Sequence, residues 1–126
     1  MPALRKTVLL VEDDETIREL IGMHLLGAGY AVRSVADGLE ALRACLKYIP
    51  DLVISDVRMP RMGGFEFVES LRKDKRTKNV SVIFLTVDES GVARGNELGA
   101  VAYLGKPILA ETLLKTVVQC IASAAK

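Results

Sequence analysis

The sequence predicts an α/β fold, a doubly wound parallel sheet of five strands with a helix after each, (βα)5. Three observations predict it. Five short apolar runs recur along the 126 residues, and amphipathic segments with helical spacing fall between them. The runs also divide into wholly apolar ones and mixed ones, as the buried and edge strands of one sheet should.

The first run is Val8–Val11, and Ile17, Leu20, Ile21, Leu25 and Ala28 then share one helical face, with Gly29 placed to stop that helix. The second run is Ala31–Val35, after which Asp37-Gly38 reads as a turn. Leu39, Leu42, Cys45 and Leu46 stripe the helix that follows. The third run, Leu52–Ser55, leads to a stripe of Phe65, Val68 and Leu71 with Phe67. After the fourth run, Val80–Leu85, the segment "ESGVARGNELGA" is a weak helix, because Gly91 and Gly95 each cost about 1 kcal/mol relative to Ala. The fifth run, Val101–Leu104, precedes a last stripe of Leu113, Leu114, Val117, Val118 and Ile121.

"VLLV", "LVIS" and "VIFL" are continuously apolar and belong in the middle; "AVRSV" and "VAYLG" carry polar or small residues and belong at the edges. That assignment gives the flavodoxin-like order 2-1-3-4-5. The second and fifth helices then cover opposite faces, so Cys45 and Cys120 read as buried or half-buried helix thiols with no disulfide between them. No CxxC or neighbouring histidine marks a zinc site.

Composition narrows the function. Half of the residues are hydrophobic and the formal net charge is +1, which gives no electrostatic footprint for nucleic acid or an anionic membrane. With strand-sized apolar runs and no signal peptide, the expectation is one cytoplasmic domain over residues 1–126. "RKDKRTKN" reads as a solvated connection, His24 as a structural helix residue, and the Met59/Met62 pair as loop packing.

Doubly wound sheets place their sites beyond the carboxyl ends of the strands, where the order reverses. Glu12, Asp13, Asp14 and Glu15 follow the first strand, Asp56 the third, Thr86 the fourth and Lys106-Pro107 the fifth. Each alone is an ordinary cap or turn residue. Together they form a set of carboxylates suited to a hard cation such as Mg²⁺, with an amine and a hydroxyl as donors for phosphoryl oxygens.

At this point "LLVEDDETIREL", "LVISDVRMPRMGGFEF", "VIFLT" and "YLGKP" resemble the response regulator receiver domain, the CheY-like module of two-component signalling, over essentially the whole chain. The resemblance implies a signalling phosphoacceptor that is not an enzyme in its own right, though it assists its own phosphorylation and dephosphorylation. It implies that Asp56 takes a phosphoryl group from the phosphohistidine of a sensor histidine kinase or histidine phosphotransfer protein. Mg²⁺, or Mn²⁺ in its place, is the implied cofactor. Its ligands would be Asp13, Asp56 and the backbone carbonyl of Arg58, with Glu12 acting mainly through water. "EDDE" allows Glu12/Asp13 or Asp13/Asp14 as the acidic pair, and aligning "TIREL" on Ile17 and Leu20 selects the former. Thr86 and Lys106 match the family's switch hydroxyl and lysine, Tyr103 its aromatic switch, and the Lys106-Pro107 peptide is cis in the family. Arg58 and Asp88 match positions that tune phosphoryl loss in the family. A downstream protein would dock on the fourth helix, fifth strand and fifth helix; no direct nucleic-acid contact and no membrane insertion are implied.

The chain departs from the family at Gly63, where an acid usually precedes Gly64, and at Val87, where a small residue is usual. Two rival functions follow. One is a degenerate receiver working as a phosphorylation-independent interaction module; the other is an aspartyl-phosphate phosphatase, which would need a second positioned acid where Val57 and Arg58 stand.

Overall fold

The computed structural model describes residues 5–87 and 90–124, with side chains up to residue 122. Five strands alternate with five helices: β1 Thr7–Val11, α1 Glu15–Gly27, β2 Ala31–Val35, α2 Gly38–Lys47, β3 Leu52–Asp56, α3 Gly64–Lys73, β4 Ser81–Thr86, α4 Val92–Glu97, β5 Ala102–Gly105 and α5 Ala110–Ala124. All pairings are parallel, in the order β2-β1-β3-β4-β5. The predicted order holds, with β2 and β5 at the edges.

Side chains alternate across the sheet, so each central strand feeds two cores. Val8, Leu10, Leu52, Ile54, Ile83 and Leu85 pack on one face with Ile21 and Leu25 of α1 and Leu113, Val117 and Cys120 of α5. Leu9, Val11, Val53, Val82 and Phe84 pack on the other with Ala41, Ala44 and Cys45 of α2 and Phe67, Val68 and Leu71 of α3. The two free cysteines lie in different cores.

Several helix details differ from the sequence reading. The buried stripe of α2 runs through Ala41, Ala44 and Cys45, while Leu46 is 40% exposed. Leu20 and Val118 are likewise more than half exposed, and Ala28 is exposed. Small residues let a helix lie close on the sheet, and larger apolar ones then stand at the flank. Helix α4 is six residues long rather than the twelve of "ESGVARGNELGA", and residue 89 of that stretch lies outside the described residues.

"RKDKRTKN" is also less solvated than expected. Thr77 is fully buried and donates to the Leu71 carbonyl at 2.7 Å. Arg72 donates to the carbonyls of Leu98, Val80 and Lys78 at 2.8, 2.7 and 3.0 Å, tying the end of α3 to the end of α4. His24 is half-buried on α1, and Met59 and Met62 pack against the α2–α3 core. Among the described residues no helix is long and apolar enough to cross a membrane.

Candidate functional site

The site begins where β1 runs out of apolar residues. Glu12 follows Val11 with its backbone N–H donating to the Val35 carbonyl at 3.1 Å, which ties it to the end of β2, and it is fully buried. Asp13 is exposed. Asp14 turns into α1 as its N-cap, accepting the Ile17 N–H at 3.0 Å, and Glu15 opens the first turn. Four consecutive acids thus divide: two face the crevice and two start a helix. Arg18, one turn on, donates to the Glu12 carbonyl at 2.8 Å.

Asp56 ends β3 and is 8% exposed. Its Oδ1 accepts the Val57 N–H at 2.8 Å, and its carbonyl accepts the Ser55 hydroxyl at 2.8 Å. Gly64 is needed beside it, since a Cβ there would fall on the Asp56 backbone oxygen. Carboxylate oxygens of Glu12, Asp13 and Asp56 all lie within 4.8 Å of one another, the one such group of potential metal ligands among the described residues.

Lys106, carried past the end of β5, closes the group. Its N–H donates to the Thr86 carbonyl at 2.6 Å, and its peptide bond to Pro107 is cis. Its ammonium donates to Glu12 Oε1 at 2.6 Å and Asp56 Oδ2 at 2.9 Å. One ammonium therefore serves two carboxylates, and each partner feels the arrangement differently. Burial pushes Glu12 up to about 7 against the pull of Lys106, with Asp56's charge adding to the rise. Burial works to lower Lys106, but its bonds to Glu12 and Asp56 prevail and raise it. The cluster carries more negative charge than its one lysine offsets, which is the condition in which a divalent cation is welcome.

Thr86 ends β4, is 6% exposed, and lines a cavity of about 390 Å³ with Val92, Tyr103 and Gly105. Tyr103 is half-buried with its ring 6.0 Å from that of Phe84, and its hydroxyl is buried without a hydrogen-bond partner among the described residues. Gly91 and Gly95 admit that ring: a Cβ on Gly91 would come within 2.8 Å of the Tyr103 hydroxyl, and one on Gly95 within 3.0 Å of the ring. Arg58 is exposed on the loop after β3. Val87 is 70% exposed at the rim, and Asp88 lies outside the described residues.

Sequence reasoning missed Arg61 and Asp37 as parts of this region. Arg61 is the one non-glycine among the described residues with positive φ, +65°, and its guanidinium pairs with the buried Asp37 carboxylate. "DG" read only as a turn; the pairing spans 24 positions and leaves no local signal.

The comparisons agree with this picture. The sequence profile of the response regulator receiver domain matches residues 8–118. The chain is 40% identical over 116 residues to the transcriptional regulatory protein GltR of Pseudomonas aeruginosa, covering 90% of this chain and 48% of that protein. The chain thus spans about half the length of the curated relatives it matches. Among solved structures, the chemotaxis response regulator CheY4 of Vibrio cholerae superposes with a TM-score of 0.87 at 40% identity, covering 93% of this chain and 99% of that one. The receiver domain of the sensor histidine kinase PA1611 from P. aeruginosa, solved with a magnesium ion coordinated in its active-site cleft, gives 0.87 at 27% identity, over 94% and 99% of the two chains.

Proposed function

The chain belongs to the response regulator receiver domain family, and from that premise we propose that Asp56 is its phosphoacceptor. The observation that carries the reading is the convergence of Glu12, Asp13 and Asp56 within 4.8 Å, with Lys106 bonded to the first and last. In the proposed step an Asp56 carboxylate oxygen attacks the phosphorus of a phosphohistidine. The P–N bond breaks, the imidazole leaves and takes a proton, and an acyl phosphate remains on Asp56.

The residues present suit a bound Mg²⁺, or Mn²⁺ in its place: Asp13, Asp56 and the Arg58 backbone carbonyl would hold it directly and Glu12 through water. When bound, the ion offsets the repulsion between the acids and an incoming phosphoryl group. Lys106 already reaches Asp56 and is placed to follow a phosphoryl oxygen there, while Thr86 supplies a hydroxyl at the neighbouring strand end. The hydroxyl of Tyr103 and the cavity it shares with Thr86 make the pair the natural relay from Asp56 to α4, β5 and α5. That face is where a downstream protein docks in this reading, and Arg58 with Asp88 tunes how long the acyl phosphate survives.

Residues 1–126 act as one receiver unit in this reading. Its donor is a sensor histidine kinase or a histidine phosphotransfer protein, its setting is the cytoplasm, and it makes no direct contact with nucleic acid. Intact mass after incubation with acetyl phosphate and Mg²⁺ tests the centre of it. The expected result is a gain of one phosphoryl group, absent without Mg²⁺ and absent in Asp56→Ala. No gain by a folded protein, either from acetyl phosphate or from a kinase, would favour the phosphorylation-independent module instead.

A further inference from the structure

Gly63 contributes no side chain at the start of α3. Only the return half of a capping box is made there, the Gly63 N–H donating to Glu66 Oε1 at 3.4 Å. Residues 57–63, which lead from Asp56 into α3, are therefore fixed from elsewhere. The sheet holds the near end: the Val57 N–H donates to the Leu85 carbonyl at 3.2 Å and the Gly64 N–H to the Val57 carbonyl at 2.8 Å.

Helix α2 holds the far end. The Gly38 N–H donates to the Met62 carbonyl at 2.9 Å, an approach so close that a Cβ on Gly38 would collide with it. Arg61 donates through Nε and Nη2 to Asp37 Oδ2 at 2.8 and 2.5 Å. The other oxygen of Asp37 accepts the Glu40 N–H at 2.9 Å, so one carboxylate, 5% exposed, both caps α2 and grips the loop. Arg61 keeps a positive φ that non-glycine residues rarely adopt, and the paired, planar guanidinium is what stands against that cost. Between the two anchored ends lie Arg58, Met59 and Pro60.

We propose that Arg61, acting through Asp37, is a positioning residue for the metal site: the pair holds the loop so that the Arg58 backbone carbonyl is available to an ion bound by Asp13 and Asp56. The proposal rests on the functional reading above. Partners that orient metal ligands usually carry about 10- to 100-fold of affinity. For one carbonyl held by its loop, the low end applies, about tenfold.

The test compares Arg61→Asn, Asp37→Asn, the double variant and the wild type. Asparagine tolerates a positive φ and caps a helix as well as aspartate, so the substitutions remove the pairing and little else. Calorimetric titration with Mg²⁺ alone should show affinity about tenfold weaker in each single variant and no further loss in the double. Amide exchange at Gly38 in Mg²⁺-free protein should quicken in Arg61→Asn. Arg76→Asn, which breaks the remote Arg76–Asp74 pair, should leave Mg²⁺ affinity unchanged.

A merely structural pair would lower the urea midpoint and leave Mg²⁺ affinity alone, and that result overturns the proposal. Losses that add in the double variant overturn it too. If the wild type binds no Mg²⁺, the functional reading fails and the proposal with it; if it binds in an Asp13-dependent way and the variants match it, only the proposal fails.

Discussion

Replacing Lys106 by methionine removes the one ammonium that Glu12 and Asp56 share and keeps most of the stem's volume. Glu12 in the wild type is raised from 4.5 to about 7, so between those values the folded protein holds a proton that the unfolded chain has released. The stability drawn from that proton is complete below pH 4.5 and is lost as pH rises through about 7, a decline of about 3 kcal/mol that then stops. Lys106, being raised, contributes stability complete below 10.5 and lost only as pH rises through its own higher value, so it does not distort this window. Without Lys106 a fully buried carboxyl faces Asp56 and loses the ammonium bonded to it, and buried glutamates in such surroundings reach about 8 to 9. The decline then continues past pH 7 at about 1.4 kcal/mol per pH unit. At pH 5 Lys106→Met should cost about 2 kcal/mol, the charge-assisted bond to Asp56. At pH 8.5 it should cost about 4 kcal/mol. Urea unfolding of both proteins in EDTA at the two pH values measures the difference. An equal cost at both, or a smaller one at pH 8.5, would refute the claim that Lys106 holds down the Glu12 titration.

Three further outcomes follow from the same geometry. Mg²⁺ should bind more tightly as pH rises through about 7, with proton uptake by the buffer visible on calorimetry in buffers of different ionisation enthalpy, because Glu12 must ionise to serve the site. Gly64→Ala places a methyl group on the Asp56 carbonyl and within 3.1 Å of the Ser55 hydroxyl, and should cost about 2 to 3 kcal/mol in urea unfolding. Burial works to raise Asp37, yet the Glu40 amide and the Arg61 guanidinium lower it, so its contribution is present above 3.8 and is lost as pH falls through its folded value. Acid titration followed by circular dichroism should therefore show Asp37→Asn less sensitive than wild type below pH 3.8.

The sheet was legible because a strand buried on both faces has no freedom to include polar residues, and Val8–Val11, Leu52–Ile54 and Val82–Leu85 obey that constraint. Strand ends were legible for the same reason in reverse: Glu12, Asp56 and Thr86 are polar residues placed where apolar ones would extend the core, yet all three are buried. Helix faces were less so. Hydrophobic size points to Leu20 and Leu46, whereas close approach to a sheet is won by Gly22, Ala41 and Ala44, residues whose apolar signal is weak. Arg72 looked like part of a charged surface run because nothing local reveals that three carbonyls from α4 and the β4 approach will converge on it. Arg61 was opaque for a similar reason, since a positive φ at arginine is decided by a partner 24 residues away.

The division of the interior into two cores leaves one thiol in each. Cys45, fully buried between α2 and the sheet and pushed up to about 12 by that burial, has no route to a reagent unless its layer parts. Cys120, 9% exposed beneath α5, is raised by burial too and belongs to the opposite layer. Alkylation kinetics at the two positions therefore act as separate clocks, one for each side of the sheet, with no label to introduce. If the layers open together, both clocks give one opening free energy; if α5 peels away alone, Cys120 runs fast while Cys45 keeps the time of global unfolding.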